Sequence, residues 1–117
     1  MLKNMLNGLP IMTGKVKEIG KDEDKLNKIT VTIPILDDME LEARILYPIA
    51  GNKYGFVWSP DVGQEVLLGF PYGEINQPVI MGTMYNEKNK PPQELKKENQ
   101  DVYYKSQVGN EIVMHDE

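Results

Sequence analysis

The chain has 117 residues, 40% of them hydrophobic and 26% charged, with a formal net charge of −5 and no cysteine. That length suits one small domain with tails. Lack of cysteine excludes disulfides and thiolate metal sites, the acidic balance argues against a surface that tracks nucleic-acid phosphates, and no apolar run approaches the roughly 20 residues of a membrane helix.

Residues 1–10, MLKNMLNGLP, read as a loose lead-in whose Met5, Leu6 and Leu9 can pack against the barrel or against a preceding domain. One lysine, a broken apolar stretch and no small-residue cleavage site make a poor signal peptide. The expectation is synthesis in the cytoplasm without a cleaved signal, any export using another route.

A barrel is expected over residues 11–86. Met12 to Ile19 gives a first strand with Gly14 and Val16 on one face; Ile19 is out of phase with Val16, which predicts a bulge near Lys17-Glu18. Residues 20–27, GKDEDKLN, form a charged turn. In 28–33, Ile29, Val31 and Ile33 point inward and Thr30 and Thr32 outward, and the β-branched content favours a strand. Pro34 ends it, and Asp37-Asp38 is a hairpin signal. Leu41, Ala43, Ile45 and Tyr47 then alternate with Glu42, Arg44 and Leu46 in a third strand. Residues 48–60 carry Pro48, Gly51, Gly55 and Pro60, which predict an irregular connection without a helix.

A fourth strand, 64–70, alternates through Val66, Leu68 and Phe70. Gly73 to Gln77 turns the chain, and Pro78 starts a fifth strand that is apolar almost throughout, the pattern of a strand covered on both faces. Val66, Leu68, Phe70, Val79 and Met81 are expected in the core, with Gly63, Gly69 and Gly82 serving tight turns or close backbone approach. Residues 87–101 are polar and proline-punctuated, a linker with room for one helical turn at 92–98; residues 102–117 hold two short strands joined at Gly109-Asn110. Five short strands, many turns and no helical period indicate an all-β protein built as a small closed barrel. Each buried Val, Leu or Ile contributes about 1.5–3 kcal/mol, so a core of this size offsets chain entropy with little margin, and partner subunits would add to its stability.

The middle of the chain also carries a resemblance. VGQEVLLGF, a turn, NQPVIMGTMYN and PP, through Gly63, Glu65, Val66, Gly69, Phe70, Pro78, Val79, Gly82, Tyr85, Asn86 and Pro91, resemble the OB domain of the spike proteins of contractile injection machines. These are the valine-glycine repeat (VgrG) proteins of type VI secretion and the central spikes of phage baseplates. Ala50, Gly51, Gly55, Phe56 and Pro60 resemble the same family's AG…GF…P segment. Lys105, Ser106, Gly109, Glu111, Ile112, Met114 and Asp116 resemble the start of its three-chain β-helix needle. The resemblance implies a five-stranded OB-fold Greek-key barrel with a flexible C-terminal tail. It also implies a non-catalytic role joining hub to needle, a homotrimer in the full assembly, and hub or baseplate and needle or tip proteins as partners. Two lone strands are marginal in water, so the tail is expected to be mobile or held by a partner.

Enzymatic chemistry finds little support in the residues, and no cofactor is expected. GLPIMTGK, residues 8–15, has one residue too many between its glycines for a phosphate loop and Val16 where a hydroxyl is needed. Asp22, Glu23 and Asp24 lack the alternation, central glycine and distal glutamate of a calcium loop. His115 is the only histidine, which rules out a histidine metal cluster. Ser59 and Ser106 lack the G-x-S-x-G setting of a nucleophile elbow. The carboxylates sit in turns or at exposed strand positions, with no pair flanking a cleft.

Two surface sets remain. Leu46, Leu67, Ile80 and Met84 fall opposite the alternating core positions, and a contiguous apolar group of that kind marks a subunit interface. Phe56, Trp58 and Tyr72, with Tyr54, supply aromatic rings for an alternative reading, an OB binding module that stacks single-stranded nucleic acid or a glycan. The missing basic groove weighs against nucleic acid, and stable membrane insertion is not expected.

Overall fold

The computed structural model describes residues 11–20, 22–98 and 101–115. The lead-in at 1–10, the end of the linker at 99–100 and Asp116 lie outside these residues.

Strands β1 (Ile11–Glu18), β2 (Ile29–Ile33), β3 (Met39–Ile45), β4 (Glu65–Gly69) and β5 (Val79–Met84) form a closed barrel in the order β1-β2-β3-β5-β4. β1 lies antiparallel to both β2 and β4, and β5 closes the cylinder by running antiparallel to β4 and parallel to β3. This is the five-stranded OB architecture. The β3–β5 seam is short: Arg44 pairs with Val79 and Ile45 with Ile80. The Arg44 N–H donates to the Pro78 carbonyl at 3.2 Å and the Leu46 N–H to the Ile80 carbonyl at 2.9 Å.

Alternation makes the core. Met12 and Val16 from β1, Ile29, Val31 and Ile33 from β2, Ala43 and Ile45 from β3, Val66, Leu68 and Phe70 from β4 and its end, and Ile80 from β5 are all buried. Gly14 lies among the inward positions because its α-carbon meets Leu68; a β-carbon there would come within 2.8 Å of the leucine Cδ1. The two ends of the barrel are stoppered by half-buried side chains: Leu36 and Ile75 come from the turns after β2 and β4, and Tyr47 and Trp58 follow β3.

The predicted bulge in β1 is present. Val16 pairs with Val31 but Glu18 pairs with Thr30, leaving Lys17 without a partner in the ladder and free to ion-pair with Glu40 at 2.7 Å. A second bulge, in β5, changes the core. Leu68 pairs with Ile80 and Leu67 with Gly82, so Met81 is the extra residue. Strict alternation from Val79 fails here. Ile80 is fully buried, whereas Val79 is half-buried and Met81 is 44% exposed. Nor is β5 covered on both faces, since Met81 and Met84 are both exposed. Met81 instead lies over Gly69, where a β-carbon would stand 3.1 Å from its sulfur. Gly63 adopts φ +88 in the turn before β4, a conformation that favours glycine, but Gly82 has open space around it and no such constraint.

Between β3 and β4, residues 46–64 are irregular, with one β-bridge from Ala50 to Gly55 and no helix. The prolines and glycines there deny the chain the helix that many OB folds place at this point.

The chain divides after Asn86, and the second unit forms its own small sheet. Residues 87–98 contain bends and an isolated turn rather than a helical turn at 92–98. β6 (Val102–Lys105) and β7 (Glu111–Met114) form an antiparallel hairpin. Its loop is closed by the Ser106 N–H donating to the Asn110 carbonyl at 2.8 Å and by the Gly109 N–H donating to the Ser106 carbonyl at 3.1 Å.

Candidate interaction surfaces

The described residues hold no cluster of His, Asp and Glu side chains able to take a metal ion, and no helix long and apolar enough to cross a membrane. Three surface features stand out among the described residues.

The first is the outer face of β4 and β5, continued by the residue after β3. Leu46 is 56% exposed, Met84 is exposed and Leu67 is half-buried, in keeping with an outward-facing set. Ile80 does not belong to it: the bulge at Met81 turns Ile80 into the core and puts Met81 on the surface in its place. The outer face therefore keeps its apolar character through a different residue.

The second surface lies on the hairpin. Val102 pairs with Met114 and Tyr104 with Ile112. Paired residues of an antiparallel ladder share a face, as do residues two apart along a strand. All four side chains thus stand on one side, and all four are exposed. The other side pairs half-buried Tyr103 with Val113 and Lys105 with Glu111; there the Tyr103 hydroxyl donates to the Glu111 carboxylate, which raises the tyrosine pKa above its usual value. At the open end, His115 Nδ1 lies 3.1 Å from Asp101 Oδ2.

The third is a cavity of 380 Å³ at one end of the barrel, between the β1–β2 loop and the chain after β3. Ile29, Ile45, Tyr47, Val57 and Trp58 form its apolar wall, with Asp22, Lys25, Asn27 and Lys28 on the loop side. The Trp58 indole is fixed by donating to the Leu46 carbonyl at 3.3 Å, and Asn27 Nδ2 donates to the Tyr47 hydroxyl at 3.2 Å. The loop is shaped by Asp22, whose Oδ2 accepts the Lys28 N–H at 2.9 Å. Desolvation pushes the Asp22 carboxyl up, but backbone donors at Lys28, Leu26 and Asn27 and the Lys28 charge outweigh it and hold the carboxyl below its ordinary value. Lys28 is raised by its hydrogen bond to Asp24 at 2.9 Å and by that carboxylate's charge.

The three aromatics of the alternative reading lie on different segments. Trp58 lines the cavity, half-buried against the core. Phe56 is exposed on the ribbon that bridges Ala50 to Gly55, its N–H donating to the Ile49 carbonyl at 3.0 Å. Tyr72 sits in the β4–β5 turn, beside the start of β1, where Gly69 pairs with Ile11. The cavity adjoins the other end of β1, at Ile19. The cavity went unread in the sequence because its wall comes from β2, β3 and two loops; the half-alternation around Tyr47 and the single Trp58 were its only traces.

Residues 12–85 match the family model described as the type VI secretion system/phage-baseplate injector OB domain. No curated protein matches the chain.

Proposed function

The chain belongs to the type VI secretion system/phage-baseplate injector OB domain family, and on that premise we propose that it is a non-catalytic structural module of an injection-machine spike, a threefold collar joining a hub to a needle. The observation that carries this reading is the hairpin. Two strands alone are marginal in water, and here one complete face, Val102, Tyr104, Ile112 and Met114, is apolar and exposed. Such a face is stabilised by burial against another sheet, and three copies arranged about an axis provide one for each other. The outer barrel face of Leu46, Leu67, Met81 and Met84 supports the same reading, as a second apolar surface that a lone barrel leaves wet. The net charge of −5 favours this role over a nucleic-acid module.

The chain has no cysteine, so a single Ile112→Cys variant treated with a three-armed maleimide reports directly on hairpin contact. A covalent three-chain product at low micromolar protein is expected. Single-chain adducts alone, at every concentration up to millimolar, would contradict the proposal.

A further inference from the structure

Two cavities adjoin at the β1–β2 loop and share Gly20 and Asp22 in their walls. The first is the 380 Å³ cavity walled by Tyr47, Val57 and Trp58. The second, of 490 Å³, is lined by Gly20, Asp22, Glu23, Asp24 and Glu42. Both fall in the range of pockets that hold ligands, roughly 300–1,000 Å³. An apolar space and a carboxylate-lined space thus lie side by side.

Asp22 stands on the boundary between them. Its Oδ2 accepts the Lys28 N–H, but its Oδ1 is buried and has no hydrogen-bond partner. The Leu26 and Asn27 amides lie near the same carboxylate without bonding to Oδ1. A buried carboxylate oxygen left unmet is costly, and a donor brought by a ligand relieves that cost. Two ammonium groups stand nearby: Lys28 is bonded to Asp24 at 2.9 Å, and Lys25 is exposed on the rim of the first cavity. Glu23 and Glu42 form no ion pair among the described residues. The paired cavities therefore keep an excess of negative charge. Their aromatic wall is set in advance, Trp58 by its bond to the Leu46 carbonyl and Tyr47 by its bond from Asn27.

We propose that the paired cavities bind an extended peptide segment of a partner protein that carries an apolar residue and an arginine two positions apart. Residues at that spacing in an extended chain face the same side. The apolar side chain lies against Tyr47, Val57 and Trp58, and the guanidinium enters the carboxylate cavity and donates an N–H to Asp22 Oδ1. Arginine fits because its planar fork of five donors serves Asp22 while facing Glu23 and Glu42. A small amine fills one of the two spaces, whereas a peptide fills both. The chain's one arginine, Arg44, is set in the β3–β5 seam of the barrel wall, so the segment comes from a different protein. Neither the hairpin nor association of copies enters this contact.

Trp58 is the chain's only tryptophan and reports binding in the full chain at low micromolar concentration. Acetyl-Leu-Gly-Arg-amide is expected to change its emission saturably, with a Kd of about a millimolar or tighter. Acetyl-Leu-Gly-Glu-amide is expected to bind at least about tenfold more weakly. Glu23→Gln combined with Glu42→Gln, both at exposed positions, should weaken the arginine peptide at least about fivefold. Absence of a saturable response to the arginine peptide overturns the proposal, as does equal binding of the glutamate peptide or a double variant that binds like wild type. Agmatine, which has the guanidinium but no apolar residue, is expected to bind far more weakly than the peptide; equal binding would make this a small-cation site and overturn the peptide assignment. The three-armed maleimide product of Ile112→Cys answers for the collar separately, whichever way the peptide titration falls.

Discussion

Leu68 and Ile80 face each other across the β4–β5 ladder, both wholly buried, while Met81, the next residue of β5, has no partner and lies on the surface over Gly69. One bulge thus decides which apolar residues of β5 hold the barrel closed and which stand on its surface. It acts close to where β5 meets β3 in the short parallel seam.

Ile80→Ala should therefore destabilise the barrel by about 2–5 kcal/mol, the range for a truncated core residue. Met81→Ala should cost under about 1 kcal/mol in the monomer, since an exposed side chain loses little burial. Urea unfolding of the two variants beside wild type measures both. Equal losses would show that Met81 contributes to the core as much as Ile80 does.

Much of this architecture was legible in the residues. β2 could be read directly, because Ile29, Val31 and Ile33 alternate with two threonines. Ile19 fell out of phase with Val16, which gave away the β1 bulge. β5 hid its own bulge for a physical reason: Val79, Ile80 and Met81 are all apolar, so no polar residue marked the change of face. Any such run is compatible with either phase, and only pairing with Leu67 and Leu68 selects one. The surfaces were harder still. Leu46, Leu67 and Met84 were found by exclusion from the core pattern, but the Trp58 cavity depends on loops that meet only in the folded chain. Tyr72's left-handed backbone left no trace in the sequence, since glycine and asparagine are the usual signs of that conformation.

The β1–β2 loop should loosen in acid. Asp22 has its folded pKa held below the ordinary value by backbone donors, so its contribution is present above the unfolded carboxylate pKa and is lost as pH falls through the folded one. The amide of Lys28, which donates to Asp22 Oδ2, reports the change in a proton NMR titration. Its downfield shift is expected to collapse only at a pH below the ordinary carboxylate range. Asp22→Asn should show the collapsed position at every pH.

Tyr72→Gly should stabilise the isolated barrel. Replacing a left-handed non-glycine residue with glycine relieves a strain of about 1 kcal/mol, and the exposed ring contributes no burial to its own fold. Thermal unfolding at concentrations too low for association measures the effect. A lower melting temperature would mean that Tyr72 is held by contacts within its own chain.

The proposed collar has copies of one chain holding each other through the exposed hairpin face of Val102, Tyr104, Ile112 and Met114. Sedimentation equilibrium of the unmodified chain from micromolar to millimolar concentration tests that most directly. The expected result is a rise to three times the chain mass. A single-chain mass across the whole range would contradict it.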